Sequence, residues 1–202
     1  MVGYSIILLK DMIQELGENE TKKRLSQFSC PLNKDVETFL HNSAIELAKQ
    51  SVSATHLVFS SYKSKPVIVG YFTLANKNII VSSNNTMPKN LRKRINKFGV
   101  LDLDRNGYRI SAPLIAQLGK NYSNGYDKII TGDELLLLAC QKVSEVQELI
   151  GGKIVYLECE DKLPLIDFYK SNGFVSFGQR KLDRDETELL SGQYLIQMLK
   201  YL

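Results

Sequence analysis

The spacing of apolar residues along this chain of 202 residues predicts alternating strands and helices. A short apolar run at 6–9 predicts a first strand, and a polar helical stretch follows at 11–26. The apolar residues of the next segment recur at three- and four-residue spacing: Val36, Phe39, Leu40, Ala44, Leu47 and Ala48. That spacing predicts a helix over about 34–50 with one buried face. Residues 54–62 and 66–75 are rich in β-branched and aromatic side chains and predict an antiparallel hairpin.

The second half of the chain predicts a strand, a long helix, a strand, a short helix and two closing strands. Residues 108–118 read as a strand in which Pro113 marks a bulge or an interrupted ladder. Thr131 is placed to cap the longest helix, which runs to about Ile150. The apolar strand that follows at 153–159 is then the second half of a parallel crossover. These elements predict one α/β domain over 1–202, with a mixed sheet and helices on both faces.

A segment of different character interrupts this pattern at about 83–107 and is predicted to be an insertion. Its helical part has an apolar seam and carries five basic residues without an acid between them: Lys89, Arg92, Lys93, Arg94 and Lys97. Such a run is a candidate footprint for the phosphate backbone of a nucleic acid. A solvated helix face accounts for it equally well, so both interpretations stay open.

Composition and charge exclude several classes of function. The net charge of +4 permits an anionic partner without requiring one. The three cysteines lie far apart, which suggests neither disulfides nor a zinc site and favours a reducing, cytoplasmic location. With two histidines and no ligand cluster, no metal is predicted. The apolar run at the start is far shorter than the ~18 residues of a membrane span, so no membrane association is expected.

The heptapeptide F-Y-K-S-N-G-F at 168–174 is the most informative motif. It predicts a helix that carries Phe168 and Tyr169 in its last turn, a left-handed cap at Gly173 and a strand that opens at Phe174. A phenol at a helix end, facing a cleft, can donate a proton. The alternative is a core aromatic residue whose hydroxyl only reaches the surface.

With this motif and three others, the chain from about residue 28 onward resembles the GNAT superfamily of N-acetyltransferases. The other motifs are F-S-C-P-L at 28–32, V-G-Y-F-T-L-A at 69–75, and A-Q-L-G-K at 116–120 ahead of a leucine-rich helix. They are similar to the branch of toxins that acetylate aminoacyl-tRNA. The resemblance implies a GNAT-like, mostly antiparallel sheet, acetyl-CoA as donor and no metal. It also implies tRNA as a candidate amine acceptor, and an antitoxin and a second copy of the chain as candidate partners.

The resemblance also assigns residues to the cofactor. Backbone groups of the strand end would bind the acetyl carbonyl and pantetheine, the loop before the long helix would wrap the pyrophosphate, and Tyr169 would protonate the departing CoA thiolate. The implied cofactor-binding residues are Leu118, Gly119, Lys120, Lys128, Ile129, Ile130, Thr131, Gly132, Asp133 and Phe168.

The phosphate loop departs from the family pattern of Gln or Arg, two residues, Gly, one residue, then Gly or Ala. Asp127, Ile130 and Gly132 occupy the three specified positions, and only Gly132 fits. We expect Ile130 to crowd an anion and Asp127 to repel it, while Lys128 supplies a compensating cation.

The implied reaction is direct transfer of an acetyl group to a primary amine, such as the α-amine of aminoacyl-tRNA. Glu158 and Glu160 alternate along one strand face and are candidate bases acting through water, or else solvated strand-end carboxylates. Cys159 has no general base near it in sequence and is disfavoured as a nucleophile. The alternative function is a non-catalytic GNAT-like module that binds nucleic acid or a protein partner.

Overall fold

A computed structural model describes residues 3–83, 87–183 and 192–202. The strands in this part of the chain are β1 (Ser5–Leu8), β2 (Ala54–Tyr62), β3 (Lys65–Ser82), β4 (Val100–Asp102), β5 (Gly107–Lys120), β6 (Ile154–Glu160), β7 (Val175–Lys181) and β8 (Tyr194–Tyr201). The α-helices are α1 (Leu9–Leu16), α2 (Glu18–Leu25), α3 (Lys34–Thr38), α4 (Ala44–Lys49), α5 (Lys89–Asn96), α6 (Gly132–Ile150) and α7 (Leu163–Ser171). A π-helical turn (Phe39–Ser43) joins α3 to α4, and a 3₁₀ segment (Ser123–Lys128) precedes α6. None of the described helices is long and apolar enough to cross a membrane.

The strands pair in the order β1-β2-β3-β5-β6-β8-β7, and β4 pairs with β5 outside this path. β5 and β6 run parallel, with Leu114 opposite Tyr156, as the predicted crossover through α6 requires. The pairs β1·β2, β2·β3, β4·β5, β6·β8 and β7·β8 are antiparallel. The predicted α/β fold class with a mixed, mostly antiparallel sheet is therefore confirmed.

The chain divides into two compact units, residues 1–75 with 116–139 and residues 76–115 with 140–202. The core of the first unit joins helices α1 to α4 to strands β2 and β3 through buried residues such as Leu9, Leu40, Leu57 and Tyr71. The core of the second unit joins β3, β5, β6 and β8 through residues such as Val81, Ile110, Ile154 and Leu199. The prediction of a single domain over 1–202 stays a prediction.

The polar stretch at 11–26 forms two helices because the backbone turns at Gly17. This glycine has φ 78° and ψ 162°, so it ends α1 and starts α2. The positive φ is readily available only to glycine among the common residues. Its carbonyl also accepts a hydrogen bond from the Thr21 hydroxyl at 2.8 Å, which secures the first turn of α2.

The predicted insertion contains α5 and β4, and its residues 84–86 lie outside the described part of the chain. β3 continues to Ser82 and so reaches the start of the insertion. Of the predicted apolar seam of Leu91, Ile95 and Phe98, Ile95 is fully buried and Leu91 packs against the same core, whereas Phe98 is 41% exposed. Gly107 opens β5 where a Cβ atom would lie 2.7 Å from the Val81 carbonyl oxygen, so the return from the insertion is closely packed against β3.

Candidate functional site

The predicted acetyl-binding strand end, in the first unit, is packed too tightly at Gly119 to hold a side chain. A Cβ atom on Gly119 would lie 2.4 Å from Val36 Cγ1, at the start of the predicted second helix. Its carbonyl oxygen in turn lies 3.0 Å from the Cβ position of Gly70 in β3. Leu118 and Lys120 on either side are half-buried. Two glycines therefore bring α3, β5 and β3 into close contact at this point.

Lys120 and Asn121 hold the loop that leads from β5 to α6. The Lys120 ammonium donates to the Asp127 carbonyl oxygen at 3.0 Å, so this lysine closes the loop rather than extending from it. Asn121 is 2% exposed; its amide donates to the Ile68 carbonyl at 2.8 Å. Its side-chain oxygen accepts from the N–H groups of Ser29 at 3.1 Å and Ser123 at 3.0 Å. A single buried amide thus ties β3, the connector at 29 and the loop together.

The start of α6 is closed by a reciprocal cap between Thr131 and Glu134. The Thr131 hydroxyl accepts from the Glu134 N–H at 3.1 Å, which confirms Thr131 as the N-cap. In return a Glu134 carboxylate oxygen accepts from the Thr131 N–H and hydroxyl, each at 2.8 Å. The Thr131 N–H bond holds the pKa of Glu134 below its usual value. An anionic side chain therefore already lies at this helix start.

Some backbone N–H groups of the predicted phosphate loop are not used in hydrogen bonds within the described residues. The Ile129 N–H donates to the Tyr126 carbonyl at 3.0 Å, and the Ile129 carbonyl accepts from the Tyr4 hydroxyl at 3.0 Å. The N–H groups of Ile130 and Gly132 have no hydrogen-bond partner within the described residues. The Ile130 side chain is 1% exposed, so the group expected to crowd an anion packs in the interior. Two free N–H groups at the start of a 19-residue helix can donate hydrogen bonds to an anion.

The charged side chains around this loop have opposite effects on anion binding. Lys128 is exposed and supplies the one cation among the loop positions 128–133. Asp133 and Glu134 are first-turn acids that stabilise the helix and disfavour a second anion. The helix start is thus chemically able to bind phosphate and electrostatically restrained from doing so.

In the second unit, Tyr169 lies in the last turn of α7, as the heptapeptide predicted. The residue is 8% exposed, and its ring packs edge-on against Phe168 at 5.0 Å and Phe174 at 5.9 Å between centroids. Burial, and then the nearby Cys159 thiol, raises the pKa of its phenol. The helix ends at Asn172, and Gly173 follows with φ 83°, the predicted left-handed cap.

The Tyr169 hydroxyl has no hydrogen-bond partner within the described part of the chain. It is also not one of the two fully occluded unpaired side-chain atoms found there, which are Ser53 Oγ and Asn96 Oδ1. Tyr169 is therefore a core aromatic residue whose hydroxyl stays protonated at neutral pH and donates to no described residue. Its role as a proton donor stays a prediction.

Both candidate bases on β6 are engaged in pairs. One Glu158 oxygen accepts from Arg180 Nε of β7, and the other accepts from the Gln197 amide of β8 at 2.8 Å. Glu160 is 8% exposed, and its carboxylate pairs with the Lys162 ammonium at 2.9 Å. Neither is the solvated strand-end carboxylate of the alternative interpretation. Each is a paired carboxylate whose lone pairs are partly committed.

The Cys159 side chain lies 4.0 Å from the Met198 sulfur, within the core of the second unit. Burial, followed by the negative charges of Asp161 and Glu160, raises the pKa of this thiol to about 11. Since the thiolate is the nucleophilic form, a thiol held neutral here is poorly suited to carry an acyl group.

The pH dependence of stability should report this buried thiol. Cys159 is ionised more easily in the unfolded chain, so its contribution to stability is complete below about pH 9 and is lost towards about pH 11. We expect the free energy of unfolding to fall by about 2 kcal/mol over this range from Cys159 alone. Urea unfolding at several pH values checks it, with Cys159→Ala showing a shallower fall. An equal slope in both proteins would contradict the assignment.

The five basic residues of the predicted helical run, four on α5 and Lys97 as its C-cap, separate into two groups. Arg92 Nη1 donates to the Ser83 carbonyl at 3.1 Å, and the Arg94 guanidinium stacks on the Tyr201 ring at 3.7 Å. These two arginines therefore attach the helix to the protein. Lys89, Lys93 and Lys97 are exposed and make no ion pair with any described residue. We call these three the lysine row.

Two contacts important to the loop were missed from the sequence. Glu134 was expected only as a first-turn acid, yet its capping contact could have been found, because T-x-x-E before an apolar run is the sequence pattern of the capping box. Asn121 carries no such pattern, since all its side-chain partners come from distant segments or from the loop itself. No cluster of potential metal ligands is found in the described part of the chain.

Neither a protein-family model nor a curated protein matches the chain. Solved structures do match. One described as a bacterial toxin has a TM-score of 0.64 at 15% identity, over 100% of this chain and 92% of that one. AtaT in complex with acetyl-methionyl-tRNAfMet has a TM-score of 0.59 at 15% identity, over 96% of this chain and 94% of that one.

A further match is an AtaT variant bound to acetyl-CoA and to the C-terminus of the antitoxin AtaR. It has a TM-score of 0.58 at 14% identity, over 98% of this chain and 92% of that one. Identities this low establish similarity of fold and leave the roles of individual residues to other evidence. The chain therefore has the GNAT-like fold of these toxin structures, as the sequence resemblance implied.

Proposed function

We propose that the protein is an acetyl-CoA-dependent N-acetyltransferase that transfers the acetyl group directly to a primary amine. The observation that carries the proposal is the start of α6, where the N–H groups of Ile130 and Gly132 have no partner among the described residues and can donate to an anion. The fold shared with a toxin structure that contains acetyl-CoA supports it. The residues present thus fit the phosphates of coenzyme A, with Lys128 as the added cation.

The remaining roles rest on the resemblance together with the chemistry of each residue. Acetyl-CoA supplies an activated acetyl thioester. The backbone of Leu118, Gly119 and Lys120 is proposed to orient it, and Tyr169 to hold a proton for the thiolate. Strand N–H groups that stabilise a developing oxyanion typically contribute a few kcal/mol. An α-amine with a pKa near ~8 loses its own proton readily, so the transfer does not depend on Glu158 or Glu160 as a base acting through water.

Calorimetric titration with acetyl-CoA is the primary test. We expect a Kd in the range of about 1–100 μM, weaker than a loop that matched the family pattern at all three positions would give. Absence of binding up to about 1 mM would reject the enzyme and favour the non-catalytic GNAT-like module, for which Asp133 and Glu134 at the helix start are the supporting observation.

Replacing Glu134 by Gln should tighten acetyl-CoA binding about threefold to tenfold. The change removes a negative charge from the helix start and weakens the hold on the Thr131 N–H, which then becomes a third donor. The same titration measures it. Glu148→Gln, an exposed acid near the other end of α6, is the matched control and should leave the Kd unchanged. Weaker binding by the Glu134 variant would mean that the cap organises the site rather than competing with its ligand.

The acceptor we propose is the α-amine of aminoacyl-tRNA. The lysine row supports this, because residues four apart lie on one helix face about 6 Å apart along the axis. Such a row can follow the phosphates of one RNA strand. The similarity to AtaT in complex with an acetylated initiator tRNA gives further support.

Changing the lysine row to alanine should weaken tRNA binding at least about tenfold and reduce its salt dependence. Each lost phosphate contact removes one released counterion and lowers the slope of log K against log salt by about one. Filter binding at several salt concentrations measures both quantities. Alanine at three exposed lysines elsewhere, Lys23, Lys77 and Lys170, is the control of equal charge. Equal losses of tRNA affinity in both triple variants would show that only net charge matters and would reject the assigned surface.

A further inference from the structure

The insertion, together with the first residues of β5, concentrates the positive charge of the protein. Residues 87–109 contain seven basic and two acidic side chains, a net charge of +5, whereas the whole chain carries +4. The rest of the chain is therefore slightly acidic. Asp102 faces Arg105 at 3.7 Å and Arg109 at 3.8 Å, so one of the two local acids is already shared between two arginines. The lysine row remains as unneutralised charge in this segment.

Three residues after Lys97, β4 forms an exposed edge. Val100 is 70% exposed and Leu101 53%, and the next apolar residue, Leu103, is 81% exposed. Successive strand residues point to opposite faces, so β4 exposes apolar side chains on both. Within the described residues, β5 is its one strand neighbour. The other edge of β4 therefore offers backbone N–H and C=O groups as well.

From this combination we infer that β4 is a docking edge for an extended, acidic polypeptide segment that adds to it as a strand. The edge would supply backbone hydrogen bonds, Val100 and Leu101 would contact a short apolar stretch of the partner, and the lysine row would attract its flanking acids. The partner chemistry is thus about three apolar residues with Asp or Glu on either side.

Other occupants fit the observations less well. RNA would use the lysine row but would gain nothing from exposed valine and leucine beside it. A second copy of this chain, paired through β4, would bring two segments of net charge +5 together. An acidic polypeptide satisfies the charge, the apolar side chains and the strand edge at once.

Competition between this partner and RNA is expected as well; this expectation rests on the proposed function, in which tRNA uses the lysine row. The probe is a synthetic peptide with three central valines and four glutamates on each side. We expect it to bind with a Kd of about 10 μM, to weaken with salt and to displace tRNA. Peptides with central serines, or with lysines in place of the glutamates, should not bind.

Hydrogen exchange and point variants locate the contact. Amides of 100–102 should gain protection when the valine peptide is added. Val100→Glu should weaken peptide binding about tenfold or more, while Leu149→Glu, at an 86% exposed leucine on α6, should not. Lys93→Ala should weaken it and Lys23→Ala should not. Because all four positions are exposed, these variants are expected to fold.

Several results would overturn the inference. These are no binding of the valine peptide, binding without protection of 100–102, or equal effects of Val100→Glu and Leu149→Glu. Protection of 100–102 by tRNA alone would assign the edge to RNA, and protection that rises with protein concentration, together with a dimer in sedimentation, would assign it to a second copy.

Discussion

Tyr169→Phe should lower kcat for acetyl transfer by at least about 100-fold while changing the Kd for acetyl-CoA less than about twofold. A positioned general acid contributes roughly this much to a proton-transfer step. Phenylalanine keeps the ring contacts with Phe168 and Phe174, so only the donor is lost. Burial holds the phenol protonated at neutral pH, which is the form that can donate. Steady-state kinetics together with acetyl-CoA titration separate the two quantities.

Tyr156→Phe is the matched control for this variant. Tyr156 is 3% exposed, and its hydroxyl also has no partner within the described residues, so it loses the same atom from a similar environment. Neither hydroxyl is among the fully occluded unpaired atoms of the described residues, so removing it costs little stability, and both variants should unfold at nearly the same urea concentration. A wild-type kcat in Tyr169→Phe, or an equal loss in Tyr156→Phe, would remove Tyr169 from the proposed chemistry without affecting the proposed cofactor.

Gly119→Ala should cost about 3 kcal/mol of folding free energy. The new methyl group would lie 2.4 Å from Val36 Cγ1, with Phe28 Cζ at 3.7 Å behind it, so the clash cannot be relieved by one flexible chain end. α3 or the end of β5 must shift instead. Chemical denaturation measures the loss, and acetyl-CoA binding should weaken in the same variant if the strand end is part of the cofactor site.

A double variant tests whether the contact with Val36 is the cause. Val36→Ala removes the Cγ1 atom, so Gly119→Ala should cost markedly less in that background than in the wild type. Gly125→Ala serves as a comparison, because Gly125 has φ 74° and no atom within 4 Å of its Cβ position. Its cost should be about 1 kcal/mol, from the backbone alone. Additive losses for Val36 and Gly119 would show that the close approach is not what makes alanine unfavourable.

Local signals in the sequence predicted most of the fold. Thr131, Gly151 and Gly173 mark the ends of helices, and each does so through chemistry contained within a few residues. The parallel pairing of β5 with β6 also followed, because a helix between two strands leaves little topological choice. The division of the stretch at 11–26 into two helices at Gly17 lies within reach of the same reasoning.

The site was less predictable because its geometry depends on distant partners. In the sequence, Arg92 and Arg94 are members of a basic run. In the structure, Arg92 donates to the Ser83 carbonyl and Arg94 stacks on the Tyr201 ring. The Lys120 side chain closes the loop to α6 through the Asp127 carbonyl, a contact that no spacing rule predicts, while its predicted backbone role at the cofactor stays a prediction. Glu158 acquires Arg180 and Gln197 only when β7 and β8 pair beside β6. Spacing along one segment cannot reveal contacts made with another.

The π-helical turn between α3 and α4 explains a numerical oddity of the sequence. Val36, Leu40, Ala44 and Ala48 are all buried and recur every four residues, whereas an α-helix of about 3.6 residues per turn would carry the last of them about a third of a turn away from the first. The turn absorbs one extra residue, since the Ala44 N–H bonds to the Phe39 carbonyl five residues back. The four residues then remain on one line.

This arrangement makes the π turn the place where the segment can change in length. Deleting one residue from it would give a regular α-helix in which Val36 and Ala48 lie about three turns apart, so Ala44 and Ala48 would stay on the buried face. A deletion within α4 would instead rotate the residues beyond it by about 100°. Evolution can therefore shorten this segment by one residue at the π turn without turning its buried face away from the core.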